Sequence, residues 1–242
     1  MKTRLIGIIF GSLLIINACT TDDKIFSSDT ITTETRFIDN YDGINVSTTF
    51  TIDVEFSDTE EKIEIEANKN LHEYVEVDKI NGKLIIKLRD GISISGDNVV
   101  LKAHIITKNN LVYFSAIGAS HIILNNTLDA DEVTLNLSDA SLFDGSLYAN
   151  SIVAELTGAS NVTLHGSTNS IIANLSGASF LSDFEMVTDN AKIHLSGASD
   201  TSLTVNNNID LVASGASILK YKGGATIGQI ELSGASQIIK MD

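Results

Sequence analysis

The sequence of 242 residues contains no proline, no tryptophan and one cysteine, and sets 16 lysines and arginines against 31 aspartates and glutamates. Each shortage excludes something. Without proline no strand ladder loses an N–H, which suits a chain made mostly of paired strands. One cysteine forms neither an internal disulfide nor a CxxC redox pair, so in an oxidising compartment stability must come from packing. A formal charge of −15 argues against binding nucleic acid or anionic lipid through a basic surface. Beyond the first turn of the chain the only arginines are Arg36 and Arg89, a poor supply for a lyase that must steady the developing anion of an acidic sugar. Helical spacing is scarce as well. Only Asn70–Glu76 passes for a helical turn, so helices do not carry the fold.

What is present begins with an address. Lys2 and Arg4 precede an apolar run from Leu5 to Ile16 and then Asn17-Ala18-Cys19, a secretory signal too short to span a membrane. Residues 1–18 resemble a bacterial lipoprotein signal, in which Cys19 is lipidated and becomes the first mature residue. That leaves the mature chain no thiol nucleophile. The plainer alternative is an ordinary signal with an incidental cysteine. Residues 19–30 read as an acidic tether; Thr20-Thr21-Asp22-Asp23-Lys24 resembles the export tether of Bacteroidetes surface lipoproteins, or serves as a simple linker. Losing residues 1–18 removes Lys2 and Arg4 and takes the formal charge from −15 to −17. The expected location is the outer membrane, facing the cell surface or, alternatively, the periplasm, with the lipid as the only membrane contact.

The rest of the chain, residues 31–242, reads as one domain. Over residues 110–242 a Gly-Ala-Ser tripeptide returns with its first position at Gly118, Asp139, Gly158, Gly177, Gly197, Gly215 and Gly234, in steps of 18 to 21 residues. A period so regular means one small unit stacked on itself, a solenoid. Two, four and six residues before the glycine position, twenty of twenty-one residues are apolar, Gly228 being the exception, while the positions between are mostly polar. That is a half-buried strand. Eight residues before it stand Asn110, Asp131, Asn150, Asn169, Asp189 and Asn207, side chains that close a turn and tolerate left-handed backbone. Each unit therefore holds at least two strands and two corners in about 19 residues, and the fold is all-β: a parallel β-helix. The tripeptide is its corner, with Gly for positive φ, Ala packed inward and Ser bonding the turn. Residues 31–109 alternate less regularly, in runs such as Phe50–Phe56, Lys62–Ala67 and Lys83–Leu88 after the turn Asn81-Gly82; they read as irregular N-terminal coils. Six steps of the array rise about 29 Å at the spacing of stacked strands, and the N-terminal coils, continuing it, would make roughly twice that.

Several tracts resemble a known family. Tyr41-Asp42-Gly43-Ile44-Asn45-Val46, Thr51-Ile52-Asp53-Val54, Asn81-Gly82-Lys83-Leu84-Ile85-Ile86 and the Leu-Ser-Gly-Ala-Ser copies at 175–179 and 195–199 are similar to the "putative auto-transporter adhesin, head GIN domain" family, over about residues 36–240. The resemblance implies a right-handed parallel β-helix on a bacterial surface or periplasmic protein and an adhesive role, with no active site to carry over.

The residues leave three functions open. The serines Ser120, Ser141, Ser160, Ser179, Ser199, Ser217 and Ser236 form a ladder that either offers hydroxyls to a carbohydrate or, more simply, bonds the corner backbone. The histidines His72, His104, His121, His165 and His194 show no i, i+2 or i, i+4 pairing, so no metal site and no cofactor is expected. Asp53, Glu55, Glu60, Glu61, Glu64 and Glu66 read as a solvated acidic face rather than a calcium cage. The first function is a non-catalytic, lipid-anchored adhesin or glycan-binding module, whose partner is a surface glycan or a host or cell-surface protein. The second is a carbohydrate-active enzyme using two carboxylates, with Asp144, Asp183 and Asp200 as candidate acids. The third is a structural or assembly component of the envelope. Cys19→Ala should abolish incorporation of labelled fatty acid and move the protein from the membrane to the soluble envelope fraction; label retained by the variant would contradict lipidation at this residue.

Overall fold

The computed structural model describes residues 23–242, so the signal and Cys19 lie outside the described residues. The N-terminal part runs β1 (Asp23–Phe26), β2 (Ile31–Arg36), β3 (Gly43–Val46), β4 (Thr51–Phe56) and β5 (Lys62–Asn68), then a 3-10 helix (Lys69–Tyr74), β6 (Val75–Ile80), β7 (Lys83–Leu88), β8 (Ile92–Ser95) and β9 (Leu101–Thr107). The array follows as β10 (Tyr113–Ala116), β11 (His121–Leu124), β12 (Leu128–Leu137), β13 (Leu142–Leu156), β14 (Asn161–Leu175), β15 (Phe180–Leu195), β16 (Asp200–Ala213), β17 (Ile218–Lys222), β18 (Thr226–Leu232) and β19 (Gln237–Lys240). From β10 onward every pairing is parallel, and residues about 19 apart lie side by side. The fold is a β-solenoid.

Register explains why the apolar positions recur. Phe114, Leu135, Ala154, Ala173, Ile193 and Leu211 stand one above another, all buried. A second column, Ile52, Ile122, Phe143, Val162 and Leu181, closes the interior from the strand after the corner. Phe114 and Phe143 meet edge to face with centroids 5.3 Å apart. The seventh copy differs: Ile230 and Leu232 are each 44% exposed, because among the described residues no further strand pairs beyond β18 and β19.

The corners correct one expectation. Ala119, Ala140, Ala159 and Ala178 point outward and are exposed, whereas Ser120, Ser141, Ser160 and Ser179 are fully buried. The turn spends two residues on the outside, so the inward alternation resumes at the serine. Positive φ occurs at both central residues in the first two corners, Gly118 with Ala119 and Asp139 with Ala140, but at the glycine alone in the later five. From Gly158 onward the corners also bond to each other: the amides of Ala178, Ala198, Ala216 and Ala235 donate to the carbonyls of Gly158, Gly177, Gly197 and Gly215 at 2.7–2.8 Å. A Cβ added at Gly177, Gly197 or Gly215 would collide with the preceding glycine's carbonyl oxygen. The glycines are thus required twice, for φ and for close stacking.

The N-terminal part is not a plain continuation of the coils. β3 and β4 lie between β10–β11 on one side and β7 and β9 on the other, so the chain folds back before the array begins. Beyond them β5 runs antiparallel to β9, β2 antiparallel to β5, and β6 antiparallel to β7. These antiparallel strands form a cap whose outermost strand, β2, carries Thr32, Thr33, Glu34, Thr35 and Arg36, a polar edge that discourages further pairing. The ladder from β2 to β19 therefore spans about 48 Å, less than a full doubling of the array. The turn at Asn81-Gly82 has positive φ at both residues and joins β6 to β7, as that dipeptide requires. Within the segment read as a tether, β1 pairs parallel with β8, and Ser28 accepts and donates bonds with Asn68 and Asn70. The helical turn forms over Lys69–Tyr74, burying Leu71 and His72.

Gly177→Ala and Gly118→Ala separate the two demands. Both force a side chain into left-handed backbone at about 1–2 kcal/mol. Only Gly177 also collides with the preceding coil's backbone, since the nearest atom to a Cβ at Gly118, the Thr48 nitrogen, is at an ordinary contact distance of 3.6 Å. Chemical denaturation should show Gly177→Ala costing at least about 1 kcal/mol more; equal losses would refute the stacking role.

Candidate functional site

The repeated serines are occupied by the fold. The hydroxyls of Ser120, Ser160, Ser179, Ser199 and Ser217 each donate to the carbonyl three residues back at 2.8 Å, and Ser141 and Ser236 make the same bond to Ser138 and Ser233. Ser141 and Ser236 also reach Ala116 and Ala213 of the preceding coil. The glycine positions Gly118, Asp139, Gly158, Gly177, Gly197, Gly215 and Gly234 mark the same corners. A ligand would have to be sought on the outward strand faces, where the side chains differ from coil to coil.

Two such faces carry polar ladders. On the strand before the corner, Asn174 donates to Glu155 at 2.5 Å and its amide oxygen meets Nδ1 of His194 at 2.7 Å, linking three coils. On the third side of the coil lies an open groove of about 370 Å³ lined by Asp129, Asp131, Tyr148, Asn150, Asn169 and Asp189. Asn150 donates to Asp131 at 2.9 Å and Asn169 to Asn150 at 3.1 Å. These are the residues the sequence marks as corner formers. Here they also present a row of amide and carboxylate groups to solvent, with Tyr148, 54% exposed, beside them. Farther along, Asp210 accepts the Gln229 amide and an Asn208 side-chain bond, which hold its carboxyl below the usual carboxylate range.

The acidic residues of the N-terminal part are dispersed among separate partners. Glu64 pairs with Lys62 at 2.8 Å, Glu66 with Lys102 at 3.8 Å and Asp53 with His104 at 3.7 Å, while Glu61 accepts from Asn109. Of the three acids singled out in the array, Asp200 is taken by Lys220 at 2.7 Å. Asp144 and Asp183 meet on either side of His165. Glu185 joins them, and neither its part nor the pairing is evident from i, i+2 or i, i+4 spacing, because the residues come from different coils. The available signal was the 20-residue step from Gly177 to Gly197, whose extra residue appears against β14, where Val162 pairs with Leu181 but Gly166 with Met186.

The family model of the "putative auto-transporter adhesin, head GIN domain" matches residues 40–225. The chain belongs to this family. The solved structures it resembles include a putative adhesin of Bacteroides fragilis, at 17% identity and a TM-score of 0.81, covering 90% of this chain and all of that one. Another putative adhesin, from Parabacteroides merdae, has 18% identity and a TM-score of 0.70 over 91% of this chain and all of its own. A protein of Parabacteroides distasonis described as a putative lipid binding protein gives 16% and 0.71, with 91% and 100% covered. At these identities the likeness is one of fold. No curated protein matches the chain. Among the described residues no helix is long and apolar enough to cross a membrane.

Proposed function

We propose that this family member is a non-catalytic adhesin module, held to the outer membrane by lipid on Cys19 and displayed at the cell surface, that binds glycan along the groove beside Tyr148. The observation that carries the reading is the groove itself: an exposed aromatic ring next to a ladder of Asp131, Asn150 and Asn169 crossing successive coils. Amides donate and accept while carboxylates accept, so the row matches the mixed donor and acceptor character of sugar hydroxyls. A tyrosine ring offers an apolar face with a polar tip, suited to the less polar side of a sugar. Asp129, Asp131 and Asp189 make the groove acidic, which favours neutral or amine-bearing sugars over sulfated or carboxylated ones. Membership in an adhesin family supports the same reading.

A carbohydrate-active enzyme is the second reading, favoured by the convergence of Asp144 and Asp183 around His165. One experiment addresses both. A soluble fragment starting at residue 23, which keeps β1, is screened on a glycan array and incubated with the glycans it retains. Adhesin function predicts retention of neutral glycans without product release, and a loss of about tenfold in affinity, ~1.4 kcal/mol, for Tyr148→Ala with unchanged melting. Release of hydrolysis or elimination products, or retention of sulfated glycans alone, would overturn the proposal.

A further inference from the structure

The coil between Gly177 and Gly197 bulges where its neighbours do not. Register is lost between Val162 and Gly166 against β15, and again between Ser182 and Val187 against β16. The bulge carries Asp183 and Glu185 beside His165 of the coil before it. Nδ1 of His165 lies 3.0 Å from a carboxylate oxygen of Asp183 and 3.4 Å from one of Glu185. All three donor atoms fall within 4.8 Å of one another. The Glu185 backbone amide donates to the other oxygen of Asp183 at 2.8 Å, which turns the first oxygen toward the imidazole.

From this geometry we infer a binding site for one divalent transition-metal ion, with Nδ1 of His165 and the carboxylates of Asp183 and Glu185 as ligands. Three observations carry it. First, donors bound to one ion at about 2.0–2.2 Å stand roughly 3.0–3.5 Å apart in octahedral or tetrahedral arrangements, the separations found from Nδ1 to both carboxylates. Second, Nδ1 is shielded from solvent and has no hydrogen-bond partner; neither carboxylate oxygen is aligned to accept a proton from it, so a simple imidazolium ion pair leaves the atom unsatisfied. Third, Asp144 lies 4.0 Å from Nε2, on the other side of the ring, beyond a direct hydrogen bond but on the side from which an outer carboxylate supports a metal-binding histidine. Among the described residues, neither Asp183 nor Glu185 has a lysine or arginine within ion-pair distance. One imidazole and two carboxylates select zinc, manganese or cobalt over calcium, which prefers six or more oxygens. Glu185 is the most exposed member, so the remaining coordination positions face solvent and stay open to water or an oxygen-bearing ligand.

The test uses the full, untagged chain stripped with chelator and titrated calorimetrically with zinc, manganese and calcium chlorides. One equivalent of zinc should bind, at least about tenfold more tightly than calcium, and should raise the melting temperature. Asp183→Asn with Glu185→Gln, near-isosteric changes on a half-buried and an exposed side chain, should abolish both effects while leaving the metal-free melting temperature unchanged. The imidazole resonances of His165 should shift or broaden on metal addition in the unsubstituted chain, a readout that does not depend on how the variant folds. Absence of zinc binding, equal binding by the double variant, or undisturbed His165 resonances would overturn the site.

Discussion

The structure depends on how closely two corners can approach. From Gly158 onward each glycine carbonyl accepts the amide of the alanine one coil later at 2.7–2.8 Å, an approach that a Cβ on the later glycine would block. That contact sets the rise of the stack at one edge, and the strand ladders set it along the walls. With the rise fixed, residues about 19 apart fall into columns, apolar side chains lie on apolar side chains, and a narrow interior fills with five buried apolar residues in a typical coil, such as Val162, Leu164, Ile171, Ala173 and Leu175. The serine completes the corner by turning inward, where its buried hydroxyl is satisfied by the carbonyl three residues back. Repetition gives each coil the same solution, so stability is spread along the rod as a sum of neighbour contacts.

Much of this was legible because the corner chemistry is local and repeated seven times. Glycine, or aspartate at 139, marks positive φ, and the apolar positions two, four and six residues earlier mark the wall. What the sequence concealed was relational. Whether Ala or Ser faces inward depends on how many residues the turn spends outside, which a period-two pattern does not specify. The intrusion of β3 between β7 and β10, and of β4 between β9 and β11, is a long-range choice of partner, invisible to local alternation. The exposure of Ile230 and Leu232 follows from being last in the stack, although their pattern is that of every other copy.

The same distinction separates scaffold from site. Residues that recur at the corners, the serines and the glycines with Asp139 in one copy, are consumed by the corner. Residues that face outward are left to act: the groove beside Tyr148 draws on five coils, from Asp129 to Asn206, and His165 meets Asp183 and Glu185 where a bulge displaces part of β15. A bulge costs ladder bonds and re-aims side chains. In a regular solenoid it is the natural place for a local arrangement the repeat cannot supply. The two chain ends differ in the same spirit, one closed by antiparallel polar strands and the other ending on an apolar layer.

Native-state amide hydrogen exchange, read residue by residue along the corners, tests the central claim most directly. If the glycine carbonyl contacts hold the stack, the amides of Ala178, Ala198 and Ala216 will exchange as slowly as those of the flanking strands, through the same cooperative opening, while amides of β18 and β19 exchange faster. Rapid exchange at these corner amides beside protected strand amides would contradict it, leaving the strand ladders alone to hold the solenoid together.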